Sequence, residues 1–176
     1  LNLHVPPYAL IDRPLWTPDT VKEALVDAFA TIERTTPRVG PTRAVQQIFR
    51  GKNPEEVALI RLLNDDQLAF LRAGAKQRPA RVTPQDISQA EAVVLGTDEH
   101  PAWLATLDDE HRPKLVLWVL HEVGKDLGIR QKTLRQRCEQ LRWAKRSFYR
   151  HVDSAAGKIA VRLNRDGIEA WLEPRR

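Results

Sequence analysis

The sequence predicts an all-α protein, and three observations carry that expectation. Helix-start signatures recur ahead of apolar residues spaced three and four apart. No stretch alternates apolar and polar residues as a half-buried strand does. No Asn-Gly or Asp-Gly pair lies between two such runs, since Asp166-Gly167 follows a helical pattern and reads as its stop.

Residues 1–16 read as an extended arm. Pro6, Pro7 and Pro14 exclude a regular helix there, while Leu3, Val5, Tyr8, Leu10, Ile11 and Trp16 can pack on the arm's own domain or on a neighbouring subunit. Thr17-Pro18-Asp19 is a helix start: a capping hydroxyl, a proline at the first helical position and an acid in the first turn. Val21, Leu25, Ala28, Phe29 and Ile32 supply its apolar face, and Pro37, Gly40 and Pro41 end it. A short helix is expected over 43–50, with Val45, Ile48 and Phe49 inward. Asn53-Pro54-Glu55-Glu56 starts another helix through Val57–Leu63, with Asn64-Asp65-Asp66 as an interruption and one or two further turns over 67–73.

The polar segment 76–83, with Pro79, reads as a linker. Thr83-Pro84-Gln85-Asp86 repeats the start signal, and Ile87, Ala90, Val93 and Val94 form the buried face of the helix that follows. "PAWLATL" makes a turn that anchors Trp103, and Asp108-Asp109-Glu110 provides cap and first-turn charges. "LVLWVL" is apolar almost all round, which places it in the middle of a core. The expected organisation is the arm 1–16, a helical N-terminal part 17–75 suited to joining subunits, the linker 76–83, and a C-terminal domain 84–176 with a long last helix.

The chain of 176 residues carries a net charge of +5, spread unevenly. From Lys125 to Arg150 nine basic residues face two acids, leaving +7 there and −2 elsewhere. A segregated positive segment implies an anionic partner. Its densest stretch is "QLRWAKRSFYRHV", residues 140–152, where Arg142, Lys145, Arg146 and Arg150 mix with Trp143, Phe148 and Tyr149. A solvated helix face with core anchors is the plain reading of such a stretch. The spacing says more. Leu134, Cys138 and Leu141 lie on one face of a helix over about 131–141, and Phe148, Val152, Ala155, Ile159 and Leu163 on one face of a second over about 144–164. Only Arg142-Trp143 joins them. Two amphipathic helices joined this tightly cross steeply and share a core, with "LVLWVL" as third member: a trihelical helix-turn-helix. In that arrangement the first turns of the second helix enter the major groove. The expected DNA-contacting residues are Lys132, Arg135, Arg142, Lys145, Arg146, Ser147, Tyr149 and Arg150, with arginine suited to guanine edges and the others to phosphates or bases. Phe148 is expected in the core and Trp143 as a wedge in the turn.

"LRQRCEQLRWAKRSFYRHVDSAAGKIAVRLN", residues 134–164, resembles the helix-turn-helix of sigma-factor region four and of related response-regulator domains. Cys138, Leu141 and Phe148 match the small residue, the leucine and the buried recognition-helix position of that pattern. Together with "WTPDTVKEALVDAFATIERTTP", "PAWLATL" and "LVLWVL", the chain resembles an uncharacterised family of phage and prophage helix-turn-helix proteins, over about two-thirds of its length; residues 38–80 have no counterpart. The resemblance implies a transcription regulator of phage or mobile-element type. It also allows a phage small terminase, although those place the unit N-terminally. Two positions depart from the pattern: Arg142 stands where a turn glycine is common, and Ala144 where a capping serine or threonine is common.

Catalytic and metal motifs are not expected. His121-Glu122 begins like a zinc-protease motif, but position 125 is lysine. Gly157-Lys158 lacks a phosphate-binding loop. Cys138, the single cysteine, falls on a buried helix face, so no disulfide framework forms within the chain and a reducing, cytoplasmic setting is expected. There is no basic start with an apolar core at the N-terminus and no run long enough to span a bilayer. The reading is therefore a DNA-binding protein, not an enzyme, without cofactor or metal, acting on double-stranded DNA as a dimer or larger homo-oligomer. A protein-interaction module or inhibitor without nucleic acid is the alternative from another class.

Overall fold

The computed structural model describes residues 14–35, 53–72, 82–128 and 131–171, with backbone alone for 64–72. Among these residues the chain is all-helical: α1 (Pro18–Thr35), α2 (Pro54–Arg72), α3 (Pro84–Val94), α4 (His111–Asp126), α5 (Leu134–Gln140) and α6 (Lys145–Arg165), with a single 3₁₀ turn at Leu104–Thr106. The expected helix at 43–50, most of the arm and most of the linker lie outside the described residues. No helix among the described residues is long and apolar enough to cross a membrane.

The start signals act as expected. Thr17 and Thr20 cap each other: the Thr20 N–H donates to Thr17 Oγ at 3.2 Å and the Thr17 N–H to Thr20 Oγ at 2.9 Å. The Asn53 side chain accepts from the Glu55 N–H at 3.0 Å, and its Nδ2 donates to the Asp109 carbonyl at 3.2 Å, docking the start of α2 beside the start of α4. Thr83 and Asp86 form a reciprocal capping box at α3.

Two local expectations are corrected. α2 runs without a break through Asn64-Asp65-Asp66, because those residues cost a few tenths of a kcal/mol each, about 0.7 at most, while propagating an existing helix is favourable. Ile87 is exposed, because only the second half of α3 (Ala90, Val93 and Val94) reaches the core.

The core is built around α4. Leu115, Val116, Leu117 and Val119 are fully buried, and Trp118 and Leu120 are partly covered. α1 packs against α3, α4 and α6, and α2 against α4. The sequence grouped α1 with α2 in a separate N-terminal part. Instead, Val21, Leu25 and Phe29 of α1 join one core with the C-terminal helices, because α3, α4 and α6 all pack onto α1.

The end of the arm lies on its own chain. Trp16, 3% exposed, donates its N–H to Asn164 Oδ1 at 2.8 Å, while Asn164 Nδ2 donates to the Trp16 carbonyl at 2.9 Å. Its indole packs edge-on against Trp103 and Trp171 at 5.0 and 4.7 Å. The Ala170 N–H closes this corner by donating to the Pro14 carbonyl at 3.1 Å.

A buried ion pair crosses this core. Glu56, 2% exposed, accepts from Arg112 Nη1 at 3.1 Å, and Arg112 Nε donates to the Leu104 carbonyl at 3.0 Å. The pair ties α2, the 3₁₀ turn and α4 together; burial raises the Glu56 carboxyl above its usual range in spite of Arg112.

His121 is buried on α4, and its Nδ1 has no hydrogen-bond partner among the described residues. Burial, then the charges of Arg137 and Lys125, push its imidazole below the ordinary value of 6.5. The folded chain therefore resists a proton that the unfolded chain accepts. This stability is complete above 6.5 and is lost as pH falls through the window beneath it. Melting temperature is expected to fall on acidification from about pH 7.5 to about 5.5. His121→Leu should flatten that slope, leaving the share of His151, which is shifted in the same direction.

Candidate nucleic-acid interface

The positive segment folds as two helices joined by a four-residue connection, and each join has a physical cause. Thr133 caps α5: its Oγ accepts from the Gln136 N–H, and Gln136 Oε1 accepts from the Thr133 N–H at 2.9 Å. The Thr-x-x-Gln spacing was present in the sequence and would have placed the start of α5. Leu134 and Cys138 are buried and Leu141 is half-buried. Burial raises the Cys138 thiol above its usual value, in keeping with a core residue and not a nucleophile.

α5 ends in a Schellman motif. The Trp143 N–H donates to the Cys138 carbonyl at 2.8 Å and the Arg142 N–H to the Glu139 carbonyl at 3.2 Å. The motif requires a left-handed residue, and Arg142 takes it with φ +58°, the one positive φ outside glycine among the described residues. Trp143 then turns inward. Its ring stacks on Phe148 at 6.2 Å, and Lys114 Nζ lies 5.3 Å from its centre.

Ala144 has the extended backbone of an N-cap but offers no side-chain bond, so the first-turn N–H groups of α6 keep no cap. Phe148, Val152, Ala155, Ala156, Ile159, Ala160 and Leu163 bury one face of α6. At about 100° per residue, Arg146 and Arg150 lie away from that face and Tyr149 on its flank, while Lys145 is the first residue of α6; all four are exposed. The first acid on α6 is Asp153, which meets Lys22 of α1 at 3.1 Å.

The expected contact residues separate into groups. Lys132, Arg142, Lys145, Arg146 and Arg150 are exposed, and among the described residues none of them meets a carboxylate. Arg135 is exposed too, but holds Glu139 at 2.9 Å; an exposed i,i+4 pair of this kind is worth only about 0.3–0.5 kcal/mol and yields easily to a phosphate. Tyr149 packs edge-on against Phe148 with its outer part exposed. Ser147 departs from the expectation. It is half-buried, and its Oγ lies 3.1 Å from His151 Nε2, because it occupies the flank of α6 that faces α4.

Of the other charges in the stripe, Arg137 is 3% exposed and donates to Gln131 Oε1 at 3.0 Å, and Lys125 pairs with Glu122 at 2.7 Å. Gln131 also donates to the His121 carbonyl, and a Cβ at Gly124 would displace the end of its side chain. The positive surface is thus smaller than the sequence count suggested, and it centres on the turn and the first turns of α6.

The turn carries two local costs: left-handed arginine, about 1–2 kcal/mol, and the missing cap, about 1 kcal/mol. Arg142→Gly and Ala144→Ser are each expected to raise unfolding free energy by about 1 kcal/mol, read by urea denaturation at unchanged m-value. Ala144→Ser acts on the cap alone, so it should leave the outer charges as they are.

No family model, no curated protein and no solved structure matches the chain.

Proposed function

We propose that this chain is a DNA-binding protein that lays the first turns of α6 in the major groove of duplex DNA. The observation that carries the reading is the tight α5–α6 turn. It seats Phe148 and Val152 in the core and leaves Lys145, Arg146, Tyr149 and Arg150 outward with no acid before Asp153. In such a pose Arg146 and Arg150 reach base edges or the phosphates beside them, and Tyr149 reaches a phosphate or base. Lys132, Arg135 and Arg142 meet the backbone on either side. The uncapped N–H groups at the start of α6 suit a phosphate, since the helix dipole places partial positive charge there.

A single unit of this size makes a small interface, so the proposed working form is a dimer or larger homo-oligomer, and the proposed role is transcription regulation of phage or mobile-element type. Groove insertion is a binding event and needs no catalytic group, metal or cofactor.

The test is binding to duplex DNA across a salt series. Affinity should fall steeply with salt, and Arg146→Ala/Arg150→Ala should make the log–log slope shallower by about 1 for each arginine that contacts a phosphate. Equal slopes for both proteins, or no binding by the wild type at low salt, would contradict the proposal.

A further inference from the structure

The flank of α6 between its core face and its arginine face carries a cluster that groove contact does not use. Glu110 and His111 sit at the start of α4, and His151 comes from α6. Each offers a ligand atom, and these atoms all lie within 4.8 Å of one another. His151 Nε2 is 3.4 Å from Glu110 Oε1. Two ligands on a tetrahedral zinc, with bonds of about 2.0–2.1 Å, stand about 3.3–3.4 Å apart. One edge of the cluster therefore already has the dimension of a coordination tetrahedron, and modest side-chain rotation brings in the third ligand.

The surroundings orient the imidazoles. His111 Nδ1 lies 2.6 Å from Asp108 Oδ1 and 3.3 Å from Lys158 Nζ; with its proton on Nδ1 the ring donates to the carboxylate, the shorter contact, and keeps the lone pair of Nε2. A carboxylate behind a histidine is the usual outer partner of a metal-binding imidazole, because it sets the tautomer and makes the ligand more basic. The two rings stand 5.0 Å apart and tilted by 48°. His151 Nδ1 is buried without a hydrogen-bond partner among the described residues, an unsettled polar atom beside the cluster.

We propose that Glu110, His111 and His151 form a binding site for a zinc-class divalent cation, oriented by Asp108, that ties α6 to the start of α4. Two imidazoles with one carboxylate suit zinc better than magnesium or calcium, which prefer oxygen throughout. Three protein ligands leave a fourth position for water. Nearby cations oppose the ion, and most of them are already held. Lys158 sits on Asp108 Oδ2 at 2.7 Å, and Lys114 donates to the Glu110 carbonyl at 2.8 Å and meets Glu55 at 3.4 Å. Among the described residues Arg150, exposed to water and acting on His151, is the remaining one.

The experiment adds Zn²⁺ to the full chain freed of metal by a chelator, reads calorimetric binding and melting temperature, and uses Mg²⁺ as control. One Zn²⁺ per chain and a rise in melting temperature are expected, with no rise from Mg²⁺. His111→Gln/His151→Gln should abolish both effects while its far-UV circular dichroism stays that of the wild type. Asp108→Asn, a positioning residue, should keep the stoichiometry but weaken Zn²⁺ binding about ten- to a hundredfold. No zinc-specific effect, or an equal effect in the double variant, overturns the site. Should the double variant fail to fold, Co²⁺ in the wild type decides: intense visible absorption marks a tetrahedral site, and its absence contradicts one. No DNA enters these measurements, so their outcome is separate from that of the groove contact.

Discussion

A helix with apolar residues on nearly every side must be surrounded, and α4 imposes that constraint on the rest of the chain. Leu115, Val116, Leu117 and Val119 point around its circumference and all are buried. One neighbour cannot cover them, so α1, α6 and α2 gather round. The long helix α6 is thereby fixed by its apolar face, and its remaining surface is set by subtraction. The Trp16–Asn164 pair and the indoles around it hold the far end of α6 against the chain's own N-terminal segment.

Against that packing, the local costs of the α5–α6 turn are small. Burying Phe148, Val152, Ile159 and Leu163 contributes about 1.5–3 kcal/mol each. This exceeds the strain of a left-handed arginine and the loss of a cap. A chain selected for stability alone would place glycine and serine at 142 and 144. That both departures adjoin the exposed cations fits the general pattern in which local rules are broken at functional surfaces. Arginine at 142 adds a charge beside the entrance of α6, and alanine at 144 leaves backbone donors open.

Much of this was legible in the residues. The threonine and asparagine starts at 17, 53 and 83 are local chemistry, and the sequence displays them directly. The same is true of the unusual residues at 142 and 144, because a Schellman turn demands the same conformation wherever it occurs. What pairs distant residues was not legible. α1 looked like part of an N-terminal unit because nothing along the chain states which helices share a core. Arg137 counted as surface charge because its burial depends on Gln131 and on how α5 packs. Ser147 read as outward because a helical wheel cannot show that Glu110, from the start of α4, approaches its i+4 neighbour His151. Glu110, His111 and His151 had no ligand spacing to announce them, since α4, α5 and the first turns of α6 separate His151 from the other two.

The central claim is that the outer surface of the turn and of early α6 meets duplex DNA. Backbone amide perturbation in ¹⁵N-labelled protein, on titration with a duplex at low salt, tests it most directly. Shifts concentrated at 142–150 and at Lys132, with α1 and the Trp16 corner unmoved, are what the account predicts. Shifts confined to another surface, or none at all, would contradict it.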